Sequence, residues 1–189
     1  MERWDILDAN GERTGRTMTR GERLTSGQYH LVVHIWIVSS KGRLLIQKRA
    51  PHLRLMPDTW AITGGSAVAG EDSLSAARRE LLEELGVQTA PKELQFMGRL
   101  RRRNSHCDLW LLQRDLSLGK LRLQKEEVAS VAWVSRRQLM NMVRQRTFHN
   151  YGRPYFDWVM THIDQLTKES PYAEQPVDPS DGEKNSTPG

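Results

Sequence analysis

The stretch "GEDSLSAARRELLEELGV", residues 70–87, carries the strongest structural signal in the chain. Its apolar residues recur at the spacing of one helical face. They are Leu74, Ala77, Leu81, Leu82 and Leu85. Asp72 has a side chain suited to an N-cap, and Gly86 is the residue type that most often ends a helix. The stretch therefore predicts a helix from Asp72 to Leu85 that packs one side on a core.

The same helix carries an acidic cluster. Glu80, Glu83 and Glu84 stand at positions i, i+3 and i+4, so their side chains are neighbours and their charges repel each other. One interpretation is an exposed helix face with salt bridges, in which Arg79 turns towards Glu71. The other is that the carboxylates together hold a divalent cation, because Mg²⁺ and Mn²⁺ prefer oxygen ligands.

Two glycines favour the interpretation that the carboxylates hold a cation. Gly64 and Gly65 precede the helix by a short loop, and glycine lets the backbone approach a ligand closely. An apolar opposite face would also hold the carboxylates rigidly, which a binding site requires and a solvated charged face does not.

Length and composition predict a single domain. The chain has 189 residues, enough for one hydrophobic core. No apolar run approaches the roughly 20 residues of a membrane span, and the N-terminus lacks a signal-peptide pattern. We therefore expect a cytoplasmic protein without a membrane partner. From about Lys168 the composition becomes polar and rich in proline, which predicts a domain over residues 1–167 and a disordered tail over 168–189.

The charge and the cysteine count narrow the classes of partner. A net charge of +5 favours small anionic partners. The basic run over residues 99–104 has no interleaved aromatic residues, so we expect a solvated strand end or turn there, with phosphate or RNA contact as the alternative. Cys107 is the single cysteine, which excludes an intrachain disulfide and a metal site of several cysteines. We expect it to be a packed residue on a strand.

Strand patterns lie on both sides of the predicted helix. Asn10-Gly11 predicts a type I′ turn in an N-terminal hairpin, and Lys41-Gly42 predicts the turn of a second hairpin over residues 29–49. A short strand leads into the glycine pair. Three later strands and two C-terminal helices follow, the first of them capped by Ser135. This order indicates an α/β or α+β sandwich.

The spacing around the helix resembles a known motif. The positions that carry the resemblance are Gly65, Glu71, Arg79-Glu80-Leu81, Glu83-Glu84 and Gly86-Val87. They look like a complete Nudix box, and the resemblance extends from about Trp4 to Leu166. It implies an α/β/α sandwich with a mixed β-sheet, in which the box forms a loop, a helix and a second loop.

The resemblance implies a metal site with roles for single residues. Glu83 and Glu84 would be the main ligands of Mg²⁺, or of Mn²⁺ in its place. Glu80 would be a further ligand or the general base, and Gly64 would offer its carbonyl oxygen. An acidic residue before a late strand often joins such a site, and we prefer Glu127 over its neighbour at 126, with a solvated loop charge as the alternative.

The remaining box residues would support this site. The resemblance implies that Glu71 and Arg79 pair and hold the loop against the helix, with Arg79 among the catalytic set. Gly65 and Gly86 would be structural positions of the box. The implied reaction is Mg²⁺-dependent hydrolysis of a diphosphate bond in a nucleoside diphosphate linked to another moiety.

Substrate contacts are predicted from strand alternation. Gln47 and Arg49 share one strand face, and Arg49 is a candidate phosphate ligand, with a salt bridge at the rim as the alternative. His30 and His34 share another strand face, where a structural role is favoured over ligand contact. A homodimer formed through the N-terminal hairpin is a further prediction.

Within the family, the chain is similar to proteins related to isopentenyl diphosphate isomerase. That enzyme is expected to use a cysteine just before the box, where this chain reads "WAITGG", residues 60–65. The intact box and the missing cysteine favour a hydrolase. An isomerase-like enzyme, or a non-catalytic protein that binds nucleotide or RNA, are the alternatives.

Overall fold

A computed structural model describes residues 2–168 of the chain. The strands are β1 (Arg3–Leu7), β2 (Arg13–Thr19), β3 (His30–Val38), β4 (Leu44–Arg49), β5 (Trp60–Ala61), β6 (Thr63–Ser66), β7 (Leu94–Arg101), β8 (Ser105–Gln113) and β9 (Val128–Val134). The helices are α1 (Ser73–Leu85), α2 (Arg136–Arg144) and α3 (Arg153–Lys168). Apart from Lys168, the predicted tail lies outside the described residues, and the domain boundary at 167 stays a prediction.

A mixed seven-stranded sheet forms the centre of the fold. Its main path runs β5-β4-β3-β8-β7, while β6 pairs with β3 and β9 pairs with β4. Strands β3 and β8 are parallel, and the other pairs are antiparallel. The two remaining strands, β1 and β2, form a separate antiparallel hairpin. The predicted mixed sheet and N-terminal hairpin are therefore confirmed.

Strands β3 and β4 pair only at one end. Their register joins Ile37 to Leu45 and Val38 to Leu44. Beyond that point β6 takes the place beside β3 and β5 the place beside β4, whereas β9 pairs with β4 along the whole strand. This change of partner brings the glycine pair of β6 to the middle of the sheet, opposite Val33 and His34.

Alternating residues of the sheet form two cores, one on each face. Val33, Ile35 and Ile37 of β3 pack with α1, whereas Trp36 and Val38 pack with α2 and α3. This alternation follows from the period of two along a strand. The predicted α/β/α sandwich is thus confirmed, with α1 alone on one face.

Both hairpins use a three-residue turn. In the first, the amide of Gly11 donates to the carbonyl of Asp8 and the amide of Asp8 donates to the carbonyl of Glu12. Only Gly11 takes a positive φ, of 87°, so the predicted type I′ turn at Asn10-Gly11 is wrong. The geometry is that of a type I turn followed by a left-handed glycine. The second hairpin repeats this arrangement between Ser39 and Arg43, with Gly42 at a φ of 65°.

The predicted apolar side of α1 needs one correction. Leu82 is 47% exposed, while Ala76 is fully buried beside Ala77 and Leu81. The buried side of the helix is therefore turned by one position from the predicted one. No helix within residues 2–168 is both long enough and apolar enough to cross a membrane. The cytoplasmic location and the homodimer stay predictions.

Candidate active site

Helix α1 is fixed at both ends as predicted. The carboxylate of Asp72 accepts a hydrogen bond of 2.7 Å from the amide of Ser75. Gly86 takes a left-handed conformation with a φ of 70°, and its amide donates to the carbonyl of Leu82 at 3.0 Å. A Cβ atom at Gly86 would lie 2.8 Å from Cβ of Arg122. Glycine is required there by both its backbone and its surroundings.

Burial divides the acidic cluster. Glu84 is 1% exposed and Glu80 is 8% exposed, although both are ionisable, whereas the side chain of Glu83 is 49% exposed. An exposed, salt-bridged helix face therefore does not describe Glu80 and Glu84. Buried carboxylates are rare unless they are paired or hold a cation.

The glycine pair of β6 makes room for both buried glutamates. A Cβ atom on Gly65 would lie 2.3 Å from Oε1 of Glu80, so the carboxylate of Glu80 rests directly against the backbone of Gly65. The amide of Gly64 donates to Oε2 of Glu84 at 3.1 Å. Gly64 has a φ of 153°, and a Cβ atom there would lie 2.1 Å from the carbonyl oxygen of Val33.

Gln47 is part of the surroundings of Glu84. Its side chain is 2% exposed, accepts a hydrogen bond of 3.1 Å from the hydroxyl of Thr63, and is hydrogen-bonded to the carboxylate of Glu84. Both hydrogen bonds join the side-chain amide of Gln47 to other groups of the protein. The contact of Gln47 with substrate stays a prediction, while a contact with Glu84 is present. No local pattern pointed to Thr63, because only the pairing of β4 with β5 brings it near Gln47.

Arg79 connects the carboxylates of the box. Its guanidinium donates to Glu71 at 3.0 and 2.9 Å, to Glu80 at 2.9 Å and to Glu83 at 2.9 Å. It also donates to the carbonyl of Ser66 at 3.1 Å. The predicted pairing of Glu71 with Arg79 is therefore present, and the same side chain holds two of the three clustered glutamates.

The two buried glutamates have raised pKa values. Burial raises the pKa of Glu84 to about 8, and the charge of Glu80 adds to this effect, while hydrogen bonds from Gln47 and Gly64 oppose it. Burial also raises the pKa of Glu80 to about 7, although the guanidinium of Arg79 lowers it. One guanidinium thus does not offset the desolvation of these carboxylates.

Glu127 faces the same cluster from the loop before β9. Its charge raises the pKa of both Glu80 and Glu84. The neighbouring Glu126 is exposed, and its carbonyl oxygen is hydrogen-bonded to His52 at 2.9 Å. Of the two candidates, Glu127 is the one whose carboxylate acts on the buried pair.

The donor set suits a hard divalent cation. Four carboxylates interact with each other here, those of Glu80, Glu83, Glu84 and Glu127, and Arg79 is the cation that contacts two of them. Within residues 2–168 no group of three acidic, histidine or cysteine side chains is already arranged as a cage for a metal ion. The residues therefore fit Mg²⁺ or Mn²⁺ by their chemistry and their excess negative charge rather than as a preformed cage.

Comparison with known proteins places this geometry in a family. A family model described as the NUDIX domain matches residues 28–159. The chain belongs to the Nudix family. An uncharacterized Nudix hydrolase of Listeria monocytogenes is 41% identical over 140 residues, which cover 74% of this chain and 83% of the relative. On this match the protein is an enzyme, a Nudix hydrolase.

Two further similarities concern the subgroup and the fold. An isopentenyl-diphosphate delta-isomerase of Streptomyces coelicolor is 29% identical over 174 residues, covering 88% of this chain and 87% of the isomerase. The crystal structure of the protein DR0079 from Deinococcus radiodurans has a similar fold, with a TM-score of 0.70 at 20% identity, covering 84% of this chain and 98% of that one. The predicted relation of this Nudix chain to the isomerases is therefore confirmed.

The single cysteine of this Nudix protein lies away from the box helix. Cys107 is fully buried in the core formed with α2 and α3, on the sheet face opposite α1. Burial raises the pKa of its thiol to about 12. The prediction of a packed residue on a strand is confirmed, and this thiol is not placed to act beside the box.

Arg49 lies at the end of β4, near the segment before α3. Its guanidinium donates to the carbonyl of Leu55 at 3.2 Å, and its charge lowers the pKa of His149. Among residues 2–168 it forms no ion pair, whereas the adjacent Lys48 pairs with Asp58 at 3.1 Å. The rim salt bridge considered for Arg49 thus belongs to its neighbour, and phosphate contact by Arg49 stays a prediction.

The two strand histidines have structural surroundings. Nδ1 of His34 lies 2.9 Å from the hydroxyl of Tyr155, and burial lowers the pKa of His34 to about 3. The ring of His30 packs against the ring of Trp4, with their centres 4.3 Å apart and their planes tilted by 42°. Within the basic run, Arg102 lies 5.8 Å from the ring centre of Tyr151. Residues 99–101 of the run are the end of β7, where Arg99 pairs with the buried Asp108, and residues 102–104 form the turn to β8. The predicted strand end and turn are present, but sequence spacing could not show that aromatic residues from α3 and the segment before it reach that turn.

Proposed function

We propose that this Nudix hydrolase is a Mg²⁺-dependent enzyme that cleaves a diphosphate bond in a nucleoside diphosphate linked to another moiety. The observation that carries the proposal is the buried pair Glu80 and Glu84 beside the glycine strand, with more negative charge than Arg79 balances. Burying two carboxylates costs free energy that a bound cation would offset. Mn²⁺ is the expected substitute for Mg²⁺.

The residues that would hold the cation are Glu83 and Glu84, with Glu80, Glu127 and the carbonyl of Gly64 as the further candidates. When bound, Mg²⁺ neutralises charge on the diphosphate and lowers the pKa of a coordinated water. The family match and the donor chemistry support this set.

The protein's own residues supply position and proton transfer. Arg79 keeps the carboxylates of Glu80 and Glu83 in place through hydrogen bonds of 2.9 Å. We assign to Glu80 the role of a ligand or of the base that accepts the proton of the attacking water, because its carboxylate lies against Gly65 and interacts with Glu83, Glu84 and Glu127. Arg49 is the proposed contact for a substrate phosphate, since its guanidinium has no acidic partner among the described residues.

A substrate panel tests the proposal. The protein is incubated with Mg²⁺ and nucleoside diphosphate derivatives, dinucleoside polyphosphates or isopentenyl diphosphate, and released phosphate, nucleotide and isomer are measured. We expect cleavage that stops when EDTA removes the cation. Glu83→Gln and Glu84→Gln should lower turnover by several orders of magnitude, and normal turnover in both variants would refute the assignment of the metal site.

An isomerase-like reaction is the second candidate, because an isopentenyl-diphosphate delta-isomerase matches 88% of the chain. A shift of the double bond without phosphate release would establish it. The position of Cys107 on the far face of the sheet argues against it. Binding of nucleotide without either reaction would instead indicate a non-catalytic protein.

A further inference from the structure

The N-terminal hairpin contacts the loop that precedes the box helix. Three consecutive residues of that loop are bonded to it. The amide of Ala69 donates to the carbonyl of Arg3 at 2.8 Å, and the amide of Gly70 donates to the carboxylate of Asp5 at 2.8 Å. The next residue, Glu71, accepts a hydrogen bond of 2.8 Å at its carbonyl from the guanidinium of Arg13. The hairpin therefore fixes the backbone of this loop at successive positions.

Asp5 and Arg13 form one unit across the hairpin. Nε of Arg13 lies 3.1 Å from the carboxylate oxygen of Asp5 that also accepts from Gly70. The side chain of Asp5 is only 21% exposed. Each partner thus contacts the other and the loop, and the pair stands outside residues 28–159, which the family model matches.

The fixed loop leads directly to the acidic cluster. The carboxylate of Glu71 accepts from the amide of Val68 at 3.0 Å and from Arg79 at 2.9 Å. Arg79 in turn bonds Glu80 and Glu83. A continuous series of hydrogen bonds therefore runs from the hairpin through one loop residue and one arginine to the proposed metal ligands.

We propose that Asp5 and Arg13 are positioning residues of the active site, which set the orientation of Glu71 and through it that of Arg79 and the carboxylates. This inference rests on the proposed metal-dependent function. Groups that orient metal ligands typically change metal affinity or activity by about 10–100-fold when they are removed. Because Asp5 and Arg13 act through two further residues, we expect the lower end of that range.

The test compares variants of one hairpin in the full chain. Asp5→Ala and Arg13→Ala break the contact with the loop. Thr17→Val is the matched control, because Thr17 is bonded to the side chain of Arg3 within the same hairpin and to no residue of the loop. Three quantities are measured for each protein: Mn²⁺ affinity by titration, kcat and KM on the best substrate of the panel, and amide hydrogen exchange over residues 67–72.

We expect Asp5→Ala and Arg13→Ala to lower kcat and weaken Mn²⁺ binding by about 10-fold, with KM little changed, and to speed exchange in the loop. Thr17→Val should match the wild type. In a Glu71→Gln background the effect of Asp5→Ala should largely disappear, because both changes break the same series of contacts. A purely structural role would lower the melting temperature and leave kcat, KM and the Mn²⁺ affinity of the folded protein unchanged.

Two outcomes would overturn the inference, and they are distinct from failure of the proposed function. If Asp5→Ala and Arg13→Ala keep wild-type activity and Mn²⁺ affinity, the hairpin does not position the active site, while the proposed hydrolase function stands. If the wild-type protein neither bound Mn²⁺ nor cleaved any diphosphate, the proposed function would fall. In that case unchanged exchange over residues 67–72 in Asp5→Ala would show that the hairpin does not fix the loop either.

Discussion

At the scale of single residues, the buried Glu84 governs how stability depends on pH in the absence of metal. Its pKa is raised from 4.5 to about 8, so the folded state binds a proton that the unfolded state releases between these values. Stability is therefore fully present below about pH 4.5 and falls as the pH rises through about 8. Glu80, with a pKa raised to about 7, acts in the same direction.

We expect Glu84→Gln to flatten this dependence. Thermal unfolding in EDTA between about pH 5 and about pH 8 measures it. At the upper end the variant should melt several degrees above the wild type, since roughly 1 kcal/mol corresponds to about 2–4 °C for a chain of this size. The exposed Glu126→Gln is the control and should follow the wild type. Equal slopes for wild type and Glu84→Gln would show that Glu84 is not the group responsible.

Gln47 offers a second test, because two roles for it make different kinetic predictions. Gln47→Leu keeps the volume of the side chain but removes its hydrogen bond to Glu84. If Gln47 orients Glu84, kcat should fall about 10-fold with little change in KM. If it contacts substrate, KM should rise instead. Thr63→Val, which removes only the hydroxyl that Gln47 accepts from, should give a smaller effect of the same kind.

The adjacent pair Glu126 and Glu127 allows a matched comparison. Only the charge of Glu127 reaches the buried glutamates. We expect Glu127→Gln to weaken Mn²⁺ binding by about 10-fold or more, and Glu126→Gln to leave it unchanged. Titration of both variants with Mn²⁺ measures the difference. Equal affinities would assign Glu127 to the solvated loop charges.

At the scale of elements, local patterns predicted the box helix and missed its surroundings. The stripe of apolar residues, the cap at Asp72 and the stop at Gly86 are all set within one stretch of chain, so α1 appeared at its predicted place. The burial of Glu84 depends on β6 pairing with β3, and no local pattern encodes that pairing. The type of the turn at Gly11 was predicted wrongly for a different reason, since two turn types share the same glycine signal.

Strand β6 has two glycines with different tasks, and alanine substitution should separate them. At Gly64 a Cβ atom would meet the carbonyl oxygen of Val33 at 2.1 Å with the backbone at a φ of 153°, so Gly64→Ala should destabilise the fold by several kcal/mol. At Gly65 the three atoms nearest to it would all belong to the carboxylate of Glu80, the end of a flexible side chain that can move away.

Gly65→Ala should therefore keep a melting temperature near that of the wild type while lowering kcat by at least about 10-fold, because Glu80 is displaced. Unfolding curves and turnover of the two variants measure the contrast. Gly27→Ala, at an exposed loop position with open space around it and a φ of 81°, provides a reference for the cost of a left-handed backbone alone. A fully active Gly65→Ala would mean that the position of Glu80 does not matter for turnover.

At the scale of the whole molecule, the sheet separates two sets of side chains that the sequence interleaves. The carboxylates and α1 lie on one face, and the aromatic residues of α3, with Cys107, lie on the other. The β-branched and aromatic content of β3 is typical of a largely buried strand, but it does not indicate which helix covers which face. That choice is made by packing between segments far apart in the chain, and it decides that the thiol and the box do not meet.

Because Cys107 is fully buried and is the single cysteine, its chemical labelling reports opening of the whole core. Burial raises the pKa of its thiol to about 12, so the native protein should react with a thiol reagent only after unfolding.

If α1 binds Mg²⁺ on the opposite face, Mg²⁺ alone at about 100 times its Kd should slow labelling by about 100-fold, because it binds only the folded state. The wild-type protein in EDTA, without divalent metal, is the reference, and Glu84→Gln is the control in which the slowing should be lost. Rapid labelling of the native protein would contradict the packing of β8, whereas slow labelling that Mg²⁺ does not change would show that the carboxylates of α1 take up no cation without substrate.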